Sequence, residues 1–287
     1  MDAAKAMLDS IHPNLIPWER DTNIYTLGNV GSHNIVIACP PKEEEDKRTA
    51  SAAAVAARMK YSFQGVEFGL AVGIGGGVPR ADIRLGDIVV STPKKTFGGV
   101  VYFGKTVVGD GFVLGRNGPP TLFLSAVSKL KTYHTLGRSQ IMVYLAEILT
   151  KHPNFAYPCQ QQDRLFEAEY DHVESGNTCD GCDKSKLLNR PPRRTNEPEI
   201  HHGLIASVDE PIEHGTTRDE DAHKRGILCF ETEGAFGLNS FPCLVIRGIS
   251  DYADSHKNKE WQGYAAAIAT AYAKEILSVI PQRNIGY

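Results

Sequence analysis

The stretch Phe68-Gly69-Leu70-Ala71-Val72-Gly73-Ile74-Gly75-Gly76-Gly77-Val78-Pro79 decides the fold class. Residues 68–74 form an apolar run with no charged interruption, which reads as a buried strand. The run passes into Gly75, Gly76 and Gly77, and after a short turn residues 86–90 read as a second apolar strand. Glycines at a strand end let a ligand approach the backbone closely and let N–H groups point at it. A tight turn between strands would use the same residues. The glycine spacing is not the dinucleotide fingerprint, and Pro79 forbids an immediate helix.

Outward from this block, strands alternate with helices. Residues 3–10 read as a short helix. Residues 23–30 and 34–38 read as two strands joined at Gly31-Ser32, the second buried, and 42–48 as a solvated charged loop. Residues 51–59 read as an Ala-rich helix capped by Thr49 or Ser51. Glycine-rich residues 97–120 are expected to be irregular, followed by helices over 122–130 and 140–150. Residues 152–200 are polar and aperiodic, a long excursion from the core. Strands return at 200–206, 226–230 and 242–250, with a helix starting near Glu233 and a covering helix over 264–277. The pattern predicts one α/β domain over residues 1–287. Its mixed central sheet is flanked by helices in a three-layer α/β/α arrangement.

Composition bounds the function. The 287 residues are 41% hydrophobic and 23% charged with a formal net charge of -3, enough for one large core. No basic stripe calls for nucleic acid, no apolar run reaches the roughly 18 residues of a membrane span, and the first residues lack a signal-peptide pattern. Cysteines 39, 159, 179, 182, 229 and 243 are scattered. They read as free thiols in a reducing, cytoplasmic setting, with Cys229 and Cys243 in the core.

Two further motifs carry chemistry. Glu231-Thr232-Glu233 follows the apolar run 227–230. Two carboxylates there are costly to bury without a purpose; they would accept hydrogen bonds from vicinal sugar hydroxyls and favour positive charge on a sugar ring. A helix N-terminus would also favour acidic residues. Ser250-Asp251 ends the apolar run 243–249, where open α/β sheets place ligands, although Asp251 would equally cap a turn.

In this order, the three motifs resemble the purine and uridine phosphorylase superfamily, which includes the methylthioadenosine nucleosidases. The similarity runs from about Ala3 to Pro281. The stretches GLAVGIGGGVPRADIRLGDIVVS, DRLFEAEYDH and CLVIRGISDYADSHKNKEWQGYAAA resemble a fungal branch often found N-terminal in large nucleotide-binding receptor proteins.

The resemblance implies cleavage of the N-glycosidic bond of a purine nucleoside or nucleotide. It makes Asp251 the acid toward purine N7, which requires a carboxyl held protonated by burial. It makes Glu233 the ribose ligand, supported by Glu231. Thr232 stands where the family usually has a sugar-packing Met. Gly73, Ile74, Gly75, Gly76 and Gly77 line the sugar or phosphate side, Ser250 adjoins the acid, and Pro211 with Ile212 fall at the base-contacting segment. The transition state is oxocarbenium-like. Ala71 and Ile74 replace the Arg and Ser that hold phosphate in phosphorylases, so water is favoured over phosphate as nucleophile.

Other departures are expected to matter. The family opens with a strand and a Pro-x-Glu segment whose Glu activates water, whereas this chain starts after that point, at Met1-Asp2-Ala3-Ala4. Glu43-Glu44-Glu45-Asp46 replaces a Gly-rich loop, and residues 98–119 are shortened. These departures favour an alternative, a nucleoside-binding or signalling domain that has lost turnover. The family assembles as dimers, trimers or hexamers, so a homo-oligomer is expected.

No cofactor is implied. Cys179-Asp180-Gly181-Cys182 with His172 has metal-ligand spacing, but no second pair lies nearby. A fourth ligand would have to come from His201 or His202 through folding; a disulfide or free thiols are the favoured alternatives, and no metal is assigned. His201, His202 and His256 could serve catalysis but read first as surface or hydrogen-bonded structural groups, and Trp261 and Tyr264 read as core.

Overall fold

The computed structural model describes residues 2–16, 18–39, 48–103, 113–114, 118–158, 163–173, 178–193, 195–233, 241–257 and 259–282. The elements run α1 (Asp2–Ala6), β1 (Ser10–His12), β2 (Tyr25–Val30), β3 (His33–Ala38), α2 (Arg48–Ser62), β4 (Gly69–Gly77), β5 (Ile88–Ser91), β6 (Val100–Phe103), β7 (Val113–Leu114) and α3 (Thr121–Thr135). They continue with α4 (Ile141–Lys151), β8 (Ile200–Val208), α5 (Gly215–Arg225), β9 (Ile227–Glu231), β10 (Cys243–Asp251) and α6 (Trp261–Val279). The expected class, a mixed sheet flanked by helices, is the one found.

The main sheet has the order β5-β10-β4-β9-β8-β6-β7, and a further β5–β8 pairing closes its first five strands into a ring. β4 runs parallel to β10 along its whole length, Gly69 opposite Cys243 and Gly76 opposite Asp251. It meets β9 antiparallel only at Gly76 and Gly77. Strands β1, β2 and β3 form a separate antiparallel sheet.

Helix α6 anchors the core. Its alanines let it lie close on β10, and Gly248 makes that approach possible, because a Cβ there would collide with the backbone of Ala265. Trp261 and Tyr264 at its start are buried, as their spacing predicts. Helix α5 packs Ala222 against Ile227 and Phe230 of β9.

The polar excursion is held by buried charge. Asp87 is wholly buried, and accepts from the backbone N–H groups of Arg84 at 2.9 Å and Glu199 at 3.0 Å. Arg193 at 2.5 Å and His201 at 2.9 Å complete its shell. Burial would raise its pKa, but His201 and Arg193 outweigh that and lower it. His201 is therefore structural.

Several local expectations are corrected. Helix α1 ends at Ala6, and Ser10–His12 is a strand paired with β2. β3 and residues 69–74 of β4 are half-buried rather than buried. Gly75, Gly76 and Gly77 belong to β4 rather than to the turn after it. Helix α2 begins at Arg48, so Thr49 and Ser51 lie inside it rather than at the position before its first turn. Residues 97–120 contain β6 and β7, and α5 lies in a stretch read without a helix. Cys243 is half-buried. The acidic run 43–46 and the helix expected beyond Glu233 lie outside the described residues.

His202, on β8 opposite Val90, has its pKa lowered to about 4, first by burial and then by Lys131. Its Nε2 is buried without a partner among the described residues. Above pH about 6.5, the ring is neutral in both folded and unfolded chains. Below that, the unfolded chain gains a proton that the fold refuses, so stability falls until the pH reaches about 4. Urea midpoints of wild type should therefore drop from pH 7 to pH 5. In His202→Leu the drop should be smaller; an equal drop would exonerate this ring.

Candidate active site

The site is built where the last residues of β4, β9 and β10 meet. β9 is apolar up to Phe230 and then delivers Glu231, whose side chain is fully buried. The backbone bends, and the Glu233 N–H donates to Glu231 Oε2 at 2.8 Å. Both carboxylates converge on Arg247 of β10, a residue the sequence reading did not single out. Its guanidinium donates to Glu231 Oε2 at 2.9 Å and pairs directly with Glu233 Oε2. Burial would lower the Arg247 pKa, yet Glu231 and Glu233 raise it, so this cation stays charged. The signal for it was present: an Arg inside the apolar run 242–250 has to find carboxylates.

The strand glycines make this packing possible. A Cβ at Gly73 would fall on the junction of Arg247 and Glu233. One at Gly75 would lie 2.6 Å from Cys229 Sγ and 2.8 Å from the Phe230 carbonyl oxygen. Successive strand residues face opposite ways, and Gly76 turns the other way: a Cβ there would lie 2.7 Å from Asp251 Oδ1 and from the Ala253 nitrogen. The glycines expected at the site, Gly73 among them, are thus where close approach is enforced.

Asp251 lies just past an irregularity in the β4–β10 register, where Ser250 is the extra residue between the Ile249–Gly75 and Asp251–Gly76 pairs. It accepts from Ser250 Oγ on Oδ2 and from the Ala253 N–H on Oδ1, each at 2.9 Å. Ala253 is a non-glycine residue at φ 51°, a strained conformation of the kind that gathers at functional loops. Arg218 of α5 fastens the loop by donating to the Tyr252 carbonyl at 2.9 Å and to Asp254 at 3.3 Å. Ile212 packs against the apolar cluster that includes Phe230 and Ala253. The three acids share one charge neighbourhood: the Cys229 thiol is pushed up by burial first, with Glu231, Asp251 and Glu233 adding to the shift.

Sequence and fold both match known proteins. The description of the phosphorylase superfamily matches residues 3–280. This chain belongs to that superfamily. A nucleotide-binding leucine-rich repeat (NLR)-like protein of the fungus Hyaloscypha variabilis is 43% identical over 98% of this chain, which spans 28% of that relative's length.

Among solved structures, the fold resembles a 5′-methylthioadenosine/S-adenosylhomocysteine nucleosidase of Colwellia psychrerythraea in complex with adenine. The TM-score is 0.58 at 16% identity, covering 98% of this chain and 92% of that one. It also resembles futalosine hydrolase of Helicobacter pylori, with TM-score 0.51 at 13% identity, covering 96% and 93%.

The superfamily's other expected attributes have a narrower basis here. No described helix is long and apolar enough to cross a membrane. Away from the junction, the ligand atoms of His172, Cys179 and Cys182 all lie within 4.8 Å of one another. His201, considered above as a further ligand, is instead committed to Asp87.

Proposed function

We propose that this domain cleaves the N-glycosidic bond of a purine nucleoside or nucleotide, with water as the nucleophile. The observation that carries the reading is the junction of β4, β9 and β10. Two carboxylates fixed by one buried Arg stand beside glycine backbone, and a third acid, Asp251, stands on the adjoining turn. Superfamily membership and the adenine complex of a similarly folded nucleosidase support it.

In this reading Asp251 gives its proton to, or shares it with, purine N7, making the base a better leaving group. Glu233, half-exposed while Glu231 is buried, accepts hydrogen bonds from the ribose hydroxyls. Glu231 and Arg247 hold it in place, and the carboxylates stabilise the positive charge that develops on the sugar ring. Ile74, Gly75 and Gly76 line the sugar side, Thr232 packs beneath it, and Ile212 contacts the base. Ala71 and Ile74 bring no cation or hydroxyl for phosphate.

The test is chromatography of free base released from a panel of purine nucleosides and nucleotides, with and without phosphate. Release at the same rate in both conditions is expected. Release only with phosphate would replace hydrolysis by phosphorolysis. No release from a folded sample would leave a binding domain in place of an enzyme.

A further inference from the structure

The described residues of the excursion between 163 and 193, namely 163–173 and 178–193, bury little apolar surface of their own. Leu165, Phe166 and Cys182 are the buried hydrophobic residues among them. The Cys182 N–H donates back to the Cys179 carbonyl at 3.3 Å, turning the two thiols to one side. Arg164 pairs with Asp180 at 2.9 Å, and Asp183 caps the short helical turn after the second cysteine. Small polar modules of this kind commonly need a staple.

Two observations outside the cysteines identify the staple. His172 Nε2 lies 2.9 Å from the Thr178 carbonyl oxygen. A carbonyl can only accept, so Nε2 carries the proton and Nδ1 is the lone-pair nitrogen; metal-bound histidines are held in this way. The second is His256, from the loop that follows Asp251. Its side chain is 2% exposed and its Nε2 has no hydrogen-bond partner among the described residues. Its ring stacks on Phe166 at 4.1 Å and lies 5.5 Å from the ring of His172, centroid to centroid. Two imidazoles bound at about 2.1 Å to one tetrahedral ion have centroids roughly 5 Å apart.

We infer that His172, Cys179, Cys182 and His256 form a structural zinc site that ties the excursion to the loop carrying the proposed catalytic acid. Thiolate and imidazole ligands in a Cys-x-x-Cys frame select zinc over harder cations. Charge supports the assignment: two thiolates and two neutral imidazoles exactly offset the ion's two charges, so burial of the site carries no net charge. Cysteine binds zinc as the thiolate, so metal binding releases thiol protons and is favoured by rising pH. The tie is already drawn in hydrogen bonds, since the His172 N–H donates to Ser255 Oγ at 2.9 Å.

The experiment is elemental analysis of tag-free protein purified under reducing conditions without chelator, after incubation with zinc and gel filtration. About one zinc per chain is expected in wild type, and at least about tenfold less in the Cys179→Ser/Cys182→Ser variant. Replacing zinc by cobalt(II) should give a thiolate-to-cobalt charge-transfer band and the strong visible bands of a tetrahedral ion. His256→Gln should weaken cobalt affinity by at least about tenfold and alter those visible bands, which keeps the test independent of whether the double variant folds. A folded wild type that takes up no zinc would overturn the site. So would an intact mass lighter by two hydrogens, the mark of a Cys179–Cys182 disulfide. Unchanged cobalt binding and spectrum in His256→Gln would overturn the four-ligand assignment. None of these readouts depends on glycosidic cleavage, so either reading can fail without the other.

Discussion

Asp251→Asn is expected to abolish purine release while leaving nucleoside affinity within about 1–2 kcal/mol of wild type. The local structure tolerates the change. Oδ1 still accepts from the Ala253 N–H, and the new amide faces Ser250 Oγ, whose hydroxyl rotates from donor to acceptor. An amide can still hydrogen-bond to a purine nitrogen, so ground-state binding survives. It has no acidic proton to pass as the glycosidic bond breaks, and a positioned general acid is worth about 10²–10⁴ in rate. Single-turnover release and equilibrium binding of the same nucleoside separate the two effects. Wild-type turnover in the variant would remove Asp251 from the acid role, and lost binding with turnover intact would make it a binding residue.

How much of this was legible beforehand depends on which forces act locally. β10 and α6 were readable because each is buried along most of its length, so an apolar run interrupted by Arg247 alone and an Ala-rich helical stretch leave few alternatives. Glu231, Glu233 and Asp251 were readable because acids abutting apolar strands are costly and therefore conspicuous. Helix α5 was missed for the opposite reason: GTTRDEDAHKR buries only Gly215, Arg218 and Ala222, too narrow a face to produce a periodic apolar signal. The Arg218 interactions with the Tyr252 carbonyl and Asp254 are tertiary. The strand character of Gly75–Gly77 was also hidden. Glycine is a poor strand former, and here close contacts with Cys229, Ile249 and Ala253 decide the matter. The Cys-x-x-Cys unit was visible, but His256 lies 74 residues past Cys182 in the numbering. No local spacing rule joins them; the fold does.

Arg247 carries the largest expected effect on stability. It is 3% exposed at the side chain and bridges a fully buried Glu231 to a half-exposed Glu233. Arg247→Ala leaves the Glu231 carboxylate buried with its Arg247 partner removed, while the Glu233 N–H still donates to it. Breaking a buried pair from one side costs about 3–5 kcal/mol, because the surviving charge keeps its desolvation penalty. The urea midpoint should fall accordingly at an unchanged slope. Removing both charges is a different matter: Arg247→Met with Glu231→Gln should recover much of the loss, since an apolar side chain of similar length fills the space and a neutral amide tolerates burial. If the double variant is as unstable as the sum of the two single ones, the pair is not coupled and Arg247 stabilises the strand through packing alone. A stable double variant would still be expected to bind nucleoside poorly, because Glu233 would lose the guanidinium that fixes it beside Gly73. Stability and binding would then separate in one protein, assigning the buried cation a role in shaping the sugar site beyond its role in holding β9 to β10.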